Sequence, residues 1–127
     1  MDIHEHQAKD ILAKFGVPVP NGGLAYSPEQ AAYQAREIGL PVVIKAQIHS
    51  GGRGEAGGVK FCRTDEEVRE FAANILGRQL VTKQSGPAGK GVYRLWVEAA
   101  TDIAQEIYLG FVLDRKSERI MIVASGA

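Results

Sequence analysis

Apolar residues along this chain recur in two periods, one helical and one extended. Three stretches carry the helical spacing behind a polar start. Asp2 and Glu5 stand at capping-box spacing, Ala8, Ile11, Leu12 and Phe15 follow as an apolar stripe, and Gly16 can end the helix. Ser27-Pro28-Glu29-Gln30 is a second start, with proline at the first helical position. Ala31, Ala32, Ala35 and Ile38 form its buried face, and Gly39 and Pro41 stop it. Thr64-Asp65-Glu66-Glu67 opens a third helix, with Val68, Phe71, Ala72 and Ile75 behind it and Gly77 at its end.

Between and after these lie extended segments. Val42 to Ile48 is β-rich with little alternation, which predicts a strand covered on both faces. Gly58 to Cys62 and Gln79 to Thr82 read as short strands, and Ser85-Gly86-Pro87-Ala88-Gly89 as a turn-rich loop. The last third reads as three extended segments, 92–99, 106–113 and 119–124, joined by short polar connections, an expected antiparallel meander. A mixed α/β subdomain followed by a β meander gives an α+β fold class.

Composition narrows the function classes. The 127 residues suit one domain, and 45% hydrophobic with 24% charged residues is ordinary for a globular protein. Lys+Arg and Asp+Glu balance at 15 each, so no global electrostatic footprint for nucleic acid exists. No apolar run reaches membrane length, and the N-terminus is polar and acidic, unlike a signal peptide. Cys62 stands alone, so no intrachain disulfide can form; a free thiol fits a reducing compartment, the cytoplasm or an organelle matrix.

The chemistry concentrates in one run. The segment Val43-Ile44-Lys45-Ala46-Gln47-Ile48-His49 delivers a lysine into Ser50-Gly51-Gly52-Arg53-Gly54-Glu55-Ala56-Gly57-Gly58, a loop with five glycines. Glycines let backbone N–H groups approach an anion, and a lysine adds a point charge for phosphate. The run is not a P-loop, since no Gly-Lys-Ser/Thr opens a helix after it. It is not a dinucleotide fingerprint either, since a strand follows. Two strands flanking a glycine loop predict a flap that closes over nucleotide phosphates; the competing reading is a mobile hairpin without ligand. Lys45 favours the first, because a lysine within an apolar strand is costly to bury without an anionic partner. Arg53, between Gly52 and Gly54, suits a phosphate, a partner carboxylate or simple solvation. Glu55 would oppose phosphate charge and is expected to point outward.

Other polar residues carry less. Glu98 closes the apolar Leu95-Trp96-Val97 and Glu106 begins the next strand, so either could read an adenine amine or ribose hydroxyls; a solvated turn capped by Asp102 is the alternative. His4 and His6 are two apart and would diverge on a helix, and His49 adjoins the glycine loop; all three are expected to be surface or satisfied polar residues. A structural zinc site has no ligand cluster to support it.

Taken together, the motifs carry a resemblance. Met1-Asp2-Ile3-His4-Glu5-His6-Gln7-Ala8-Lys9, the run Lys45 to Gly54, Gly57-Gly58-Val59-Lys60, Leu80-Val81-Thr82, Val97 to Ile103, Glu106 to Gly110 and Asp114-Arg115 resemble the β subunits of ADP-forming succinate–CoA ligase (succinyl-CoA synthetase) and malate–CoA ligase. The match spans the chain. Ser27 to Gln30 and Leu113 to Arg119 look slightly more like the malate branch. The resemblance implies the N-terminal half of an ATP-grasp fold, and a ligase of the tricarboxylic acid cycle type using ATP and Mg²⁺. By carry-over, Lys45 contacts nucleotide phosphates, Gly52, Arg53 and Gly54 belong to the nucleotide site, and Glu98, Thr101 and Glu106 lie around base and ribose. Glu55 departs from the family, which often has lysine there.

The resemblance also implies what lies elsewhere. Residues 1–127 correspond to part of an ATP-grasp domain; its second half, with the Mg²⁺ ligands, and a C-terminal CoA-ligase domain are expected outside them. The phosphorylated histidine belongs to a partner α subunit, so no residue here is assigned a catalytic or metal-ligating role. The piece alone is expected to be inactive and to self-associate through exposed apolar surface. A cytoplasmic location, or the mitochondrial matrix in a eukaryote, is expected. Rival readings are another ATP-grasp ligase, of purine-biosynthesis or acetate–CoA type, and a non-catalytic nucleotide-binding or interaction module.

Overall fold

In the computed structural model, which describes residues 2–126, the chain runs α1 (Glu5–Lys14), β1 (Gly22–Ala25), α2 (Pro28–Ile38), β2 (Val42–Ala46), β3 (Val59–Cys62), α3 (Asp65–Ile75), β4 (Gln79–Leu80), β5 (Lys90–Gly91), β6 (Leu95–Ala99), β7 (Ile107–Asp114) and β8 (Arg119–Gly126). Met1, which opens the resembling N-terminal run, and Ala127 lie outside the described residues.

The helix starts follow local chemistry. The Ser27 hydroxyl accepts from the Gln30 N–H at 3.1 Å, with Pro28 at the first helical position, and the Gln30 side chain accepts from the Tyr26 N–H at 2.8 Å. Thr64 caps α3 by accepting from the Glu67 N–H at 3.2 Å, and Glu67 accepts from the Arg63 N–H at 2.6 Å. The first helix starts later than expected. His4, not Asp2, is its cap residue, and the His4 N–H donates to Gln7 Oε1 at 2.8 Å.

Four strands form the principal sheet in the order β1-β6-β2-β3, every neighbouring pair antiparallel. One face carries Ala25, Val42, Ile44, Ala46, Leu95 and Val97, all fully buried. Ala31, Ala32 and Ala35 of α2 and Val68, Ala72 and Ile75 of α3 pack with them into a single core. Small alanines let α2 lie close to the sheet, and the buried apolar surface on both sides of this contact is the main source of stability. Cys62 belongs to the same core; burial pushes its thiol up to about 11, so it stays protonated and inert. Short β4 and β5 pair with each other, and β7 and β8 form a separate hairpin.

The α+β class holds, and the three extended segments of the last third are present. Their pairing differs from a single meander: the first joins the principal sheet as β6, between β1 and β2, and only β7 and β8 pair as hairpin neighbours. Strand β2 alternates between buried and half-buried residues rather than being equally covered, because its second face carries Lys45. Strand β1 carries no sequence signal, being a Gly-Gly-Leu-Ala run. Packing dictates Gly22, where a Cβ would stand 2.3 Å from the Trp96 ring; at Gly23 a Cβ would stand 2.1 Å from the end of the Gln34 side chain, which can swing away. The stripe of α1 is also corrected. Ile11, Leu12 and Phe15 are exposed, Phe15 at 83%, and the buried residue of α1 is His6.

Candidate functional site

The second face of the sheet is polar, and strand register assembles it. Lys45 stands opposite Trp96, and Val43 opposite Glu98, across the β2–β6 pair. Directly opposed residues share a face, as do residues two apart on one strand, so Lys45, Trp96 and Glu98 converge. Helix α1 lies over them with its polar side inward. Glu5 and Lys9, one helical turn apart, pair at 3.1 Å and both reach the sheet. The His6 N–H donates to the buried Gln47 Oε1 at 3.0 Å, and the Gln47 amide donates to the Lys45 carbonyl at 3.3 Å, tying the start of α1 to the end of β2.

Five charges form one network. The Lys45 ammonium pairs with Glu98 in close contact and with Glu5 at 3.3 Å. Lys9 pairs with the other Glu98 oxygen, which also accepts from Trp96 Nε1 at 2.9 Å. Arg53 pairs closely with Glu5 and donates to the Ala46 carbonyl at 2.7 Å. Three cations thus face two carboxylates, and each of the five has an opposite partner. Burial alone would push the Glu5 carboxyl up, but the Arg53 hydrogen bond and the Arg53 and Lys45 charges outweigh it and hold Glu5 down at about 2. Glu98 is likewise lowered: burial opposes, and Lys45, Lys9 and Trp96 prevail. Burial would lower Lys45, but Glu98 and Glu5 raise it instead. All three are charged throughout the neutral range.

The glycine loop leaves β2 and returns as β3. Its entry is pinned: the Ser50 and Thr82 hydroxyls lie 2.7 Å apart, and the Gly51 N–H donates to Gln84 Oε1 at 3.2 Å. Its exit is pinned by the Gly58 N–H donating to the Arg53 carbonyl at 2.7 Å. Gly52 and Gly57 take left-handed φ of 76° and 80°, which side chains with a Cβ resist. Glu55 points outward as expected, and its carboxylate pairs with Lys83 at 2.8 Å. The loop, Arg53, His49 and Glu5 line an open cavity of about 820 Å³.

His49 is exposed, as expected, while His4 and His6 depart from the reading as surface or satisfied residues. His4 lies outside the helix with extended backbone, so its ring does not diverge from His6. The rings of His49 and His4 stack with centroids 3.9 Å apart, His4 and His6 at 5.8 Å, and His6 and Trp96 at 6.0 Å. His4 Nδ1 and His6 Nε2 are buried without a hydrogen-bond partner. Burial first, and then the neighbouring His49 and Arg94, push His4 down to about 4; burial also lowers His6. Among the described residues no group of three or more His, Cys, Asp or Glu side chains is placed to hold a metal ion.

The expected site residues therefore divide. Lys45, Arg53 and Glu98 meet in the network, and Gly52, Arg53 and Gly54 line the cavity. Glu98 is 5% exposed, inside β6, with both oxygens engaged, rather than at an open strand end. Thr101 and Glu106 lie exposed in the connection between β6 and β7, and neither joins the network. Sequence reasoning missed Glu5, Lys9, Gln47 and Trp96. The Glu5–Lys9 spacing was the available signal, and it marks a polar helix side as readily as a site.

Comparison with known proteins places this geometry in a family context. A family model described as the ATP-grasp domain matches residues 2–127. The probable malate–CoA ligase subunit beta of Mesorhizobium japonicum is 66% identical over 100% of this chain, which covers 32% of that protein. The succinate–CoA ligase [ADP-forming] subunit beta of Geobacillus kaustophilus is 52% identical over 98% of this chain and 33% of its own length. The chain thus spans about a third of the length of the curated relatives it matches. Among solved structures, a dinucleotide-forming acetyl-coenzyme A synthetase of Ca. Korarchaeum cryptofilum, in complex with coenzyme A, acetyl-coenzyme A and a phosphorylated phosphohistidine segment, superposes with a TM-score of 0.72. It is 28% identical, over 99% of this chain and 53% of that one.

Proposed function

Since this chain belongs to the ATP-grasp domain family, we propose that it is the nucleotide-holding N-terminal part of the β subunit of an ADP-forming dicarboxylate–CoA ligase acting on succinate or malate. The observation that carries this reading is the convergence of Lys45 and Arg53 on Glu5 at the wall of the open cavity that the Gly52-Arg53-Gly54 tip lines. The identities to malate– and succinate–CoA ligase β subunits support the choice of ligase class.

In the proposed reaction ATP, the acid and CoA give the acyl-CoA, ADP and phosphate. The phosphoryl group passes to a histidine of an α subunit and from there to the acid, whose acyl phosphate the CoA thiol then attacks. The phosphohistidine segment bound to the similar acetyl-coenzyme A synthetase supports such a relay. The work of this chain is positioning and charge neutralisation, which is most of what phosphoryl transfer asks of a protein. Lys45 and Arg53 neutralise phosphate oxygens, and the loop amides lie along them. Glu98 orients the Lys45 ammonium, while Thr101 and Glu106 border the base and ribose. Mg²⁺, where bound with the nucleotide, would supply further charge neutralisation for the phosphates, and none of the described residues is assigned to hold it. The setting is the cytoplasm, or the mitochondrial matrix in a eukaryote.

The test is ATP-dependent CoA-thioester formation by the full-length protein with its α subunit, offered succinate and malate in turn. Thioester formation from either acid, with matching ADP release, is expected. Nucleotide-dependent ligation of an unrelated acid or amine, with neither dicarboxylate used, overturns the reading.

A further inference from the structure

Arg53 stands at the tip of the glycine loop between two exposed glycines, yet its guanidinium is already occupied. It folds back from the glycine loop onto the Ala46 carbonyl, 2.7 Å away, and onto the Glu5 carboxylate. Glu5 also faces Lys45 at 3.3 Å. One carboxylate from α1 therefore satisfies the two cations that the proposed function gives to phosphate. It does so at the wall of the cavity, which Glu5 and Arg53 line together.

We infer that Glu5 sets the affinity of the phosphate site by acting as its internal anion: its carboxylate holds Arg53 and Lys45 until an incoming phosphate chain takes Arg53 from it. This rests on the reading of Arg53 and the glycine loop as a phosphate site. Four points support it. A carboxylate and a phosphate oxygen present the same charge-assisted acceptor to a guanidinium, so they compete for it. Glu5 is ionised across the neutral range, held down by Arg53 and Lys45 against its burial. The exchange strands no charge, because Lys9, 3.1 Å from Glu5, remains on it after Arg53 departs. Arg53 sits between Gly52 and Gly54, so its backbone can follow the side chain toward the cavity.

The alternative is that Glu5 holds Arg53 in the orientation phosphate needs. The two differ in sign. Loss of a competitor tightens phosphate binding; loss of a positioning group weakens it. The experiment titrates the full-length protein, wild type and Glu5→Gln, with ATP and separately with inorganic tripolyphosphate, by calorimetry at fixed ionic strength, with thermal melts to confirm folding. Glu5→Gln is expected to bind both probes about tenfold more tightly, the scale of one charge-assisted contact. Equal or weaker binding of tripolyphosphate by a folded Glu5→Gln overturns the inference. Glu5→Asp, which keeps a charge in the first turn of α1 but draws it back by one methylene, is expected to shift affinity the same way by less. It decides the matter if Glu5→Gln does not fold, unchanged or weaker binding again counting against it. Tripolyphosphate binding that tightens while ATP is not bound leaves the inference standing and overturns the nucleotide reading; wild-type protein that binds neither probe overturns both.

Discussion

Lys45 stands directly across from Trp96 on the neighbouring strand, and its ammonium passes the indole to reach Glu98, which the same indole N–H holds from the other side. The lysine is thus fixed by a cross-strand partner and a diagonal one before any ligand arrives.

Lys45→Ala in the full-length protein is expected to weaken nucleotide binding by about 1–3 kcal/mol, the range for one lost charge-assisted contact. The fold survives, because Glu98 keeps Lys9 and the Trp96 indole. Calorimetric titration with ATP, beside a denaturant melt, separates the two effects; unchanged affinity with a normal melt removes Lys45 from the site.

The stacked histidines predict a pH response. His4, at about 4 in the folded chain against 6.5 unfolded, and His6, also lowered, bind fewer protons folded than unfolded. Stability is therefore full above pH 6.5 and falls as pH drops from there toward 4. His6→Phe keeps a ring against Trp96, removes one titrating group and removes a buried nitrogen without a partner. It is expected to raise the melting temperature and flatten its decline between pH 8 and 5, a window above the Glu5 transition. A steeper decline in the variant contradicts this account.

Glycine positions in the loop differ in what a side chain would meet. A Cβ at Gly51 comes 2.5 Å from the end of the Gln84 side chain, which can swing away. At Gly58 it comes 2.6 Å from Leu80 and 3.1 Å from the Arg53 backbone carbonyl. Gly58→Ala is expected to cost about 1–3 kcal/mol, as overpacking does, and Gly51→Ala less. Urea midpoints of the two variants give the comparison; equal values show that the loop exit is not packed as described.

Between its pinned ends the loop backbone keeps only turn hydrogen bonds, from Ala56 N–H to the Gly52 carbonyl and from Gly57 N–H to the Gly54 carbonyl, both at 3.2 Å. Amides of residues 52–57 are expected to exchange hydrogen faster than those of β2 in ligand-free protein, and to slow when ATP binds. Loop exchange as slow as in β2 without ligand counts against a closing flap.

The β7–β8 hairpin exposes Phe111, Leu113, Ile120 and Ile122, each more than half accessible. Residues 1–127 purified alone are expected to self-associate with rising concentration and to form no CoA thioester with succinate or malate, even with the α subunit supplied. Solution mass and a turnover assay check both, and a monomer that forms thioester overturns both expectations.

What the sequence disclosed, and what it hid, follows from the range of the forces involved. The caps at Ser27 and Thr64, the lysine strand and the glycine loop are written within a few neighbouring residues, and the structure places them as read. Partner choice is not local: nothing in Leu95–Ala99 says that it will enter between β1 and β2. In α1 the apolar stripe drew attention away from the working side, because Glu5 and Lys9 become site residues only once β2 and β6 stand beneath them. His4 and His6 diverge on an ideal helix, but His4 is the cap residue in extended conformation, and one residue of displacement lets the rings stack.

The position of β6 has a consequence for how the molecule comes to exist. β1 and β2 emerge from synthesis well before the strand that must lie between them, and Gly22 waits for Glu98 across most of the chain. Such long-range pairing closes a large loop before it is rewarded, so completion of this sheet should limit the rate of folding. Until then Val42–Ala46 lacks its β6 neighbour. Trp96 and Glu98 then enter with the closing strand, so the step that completes the sheet also assembles the proposed phosphate site.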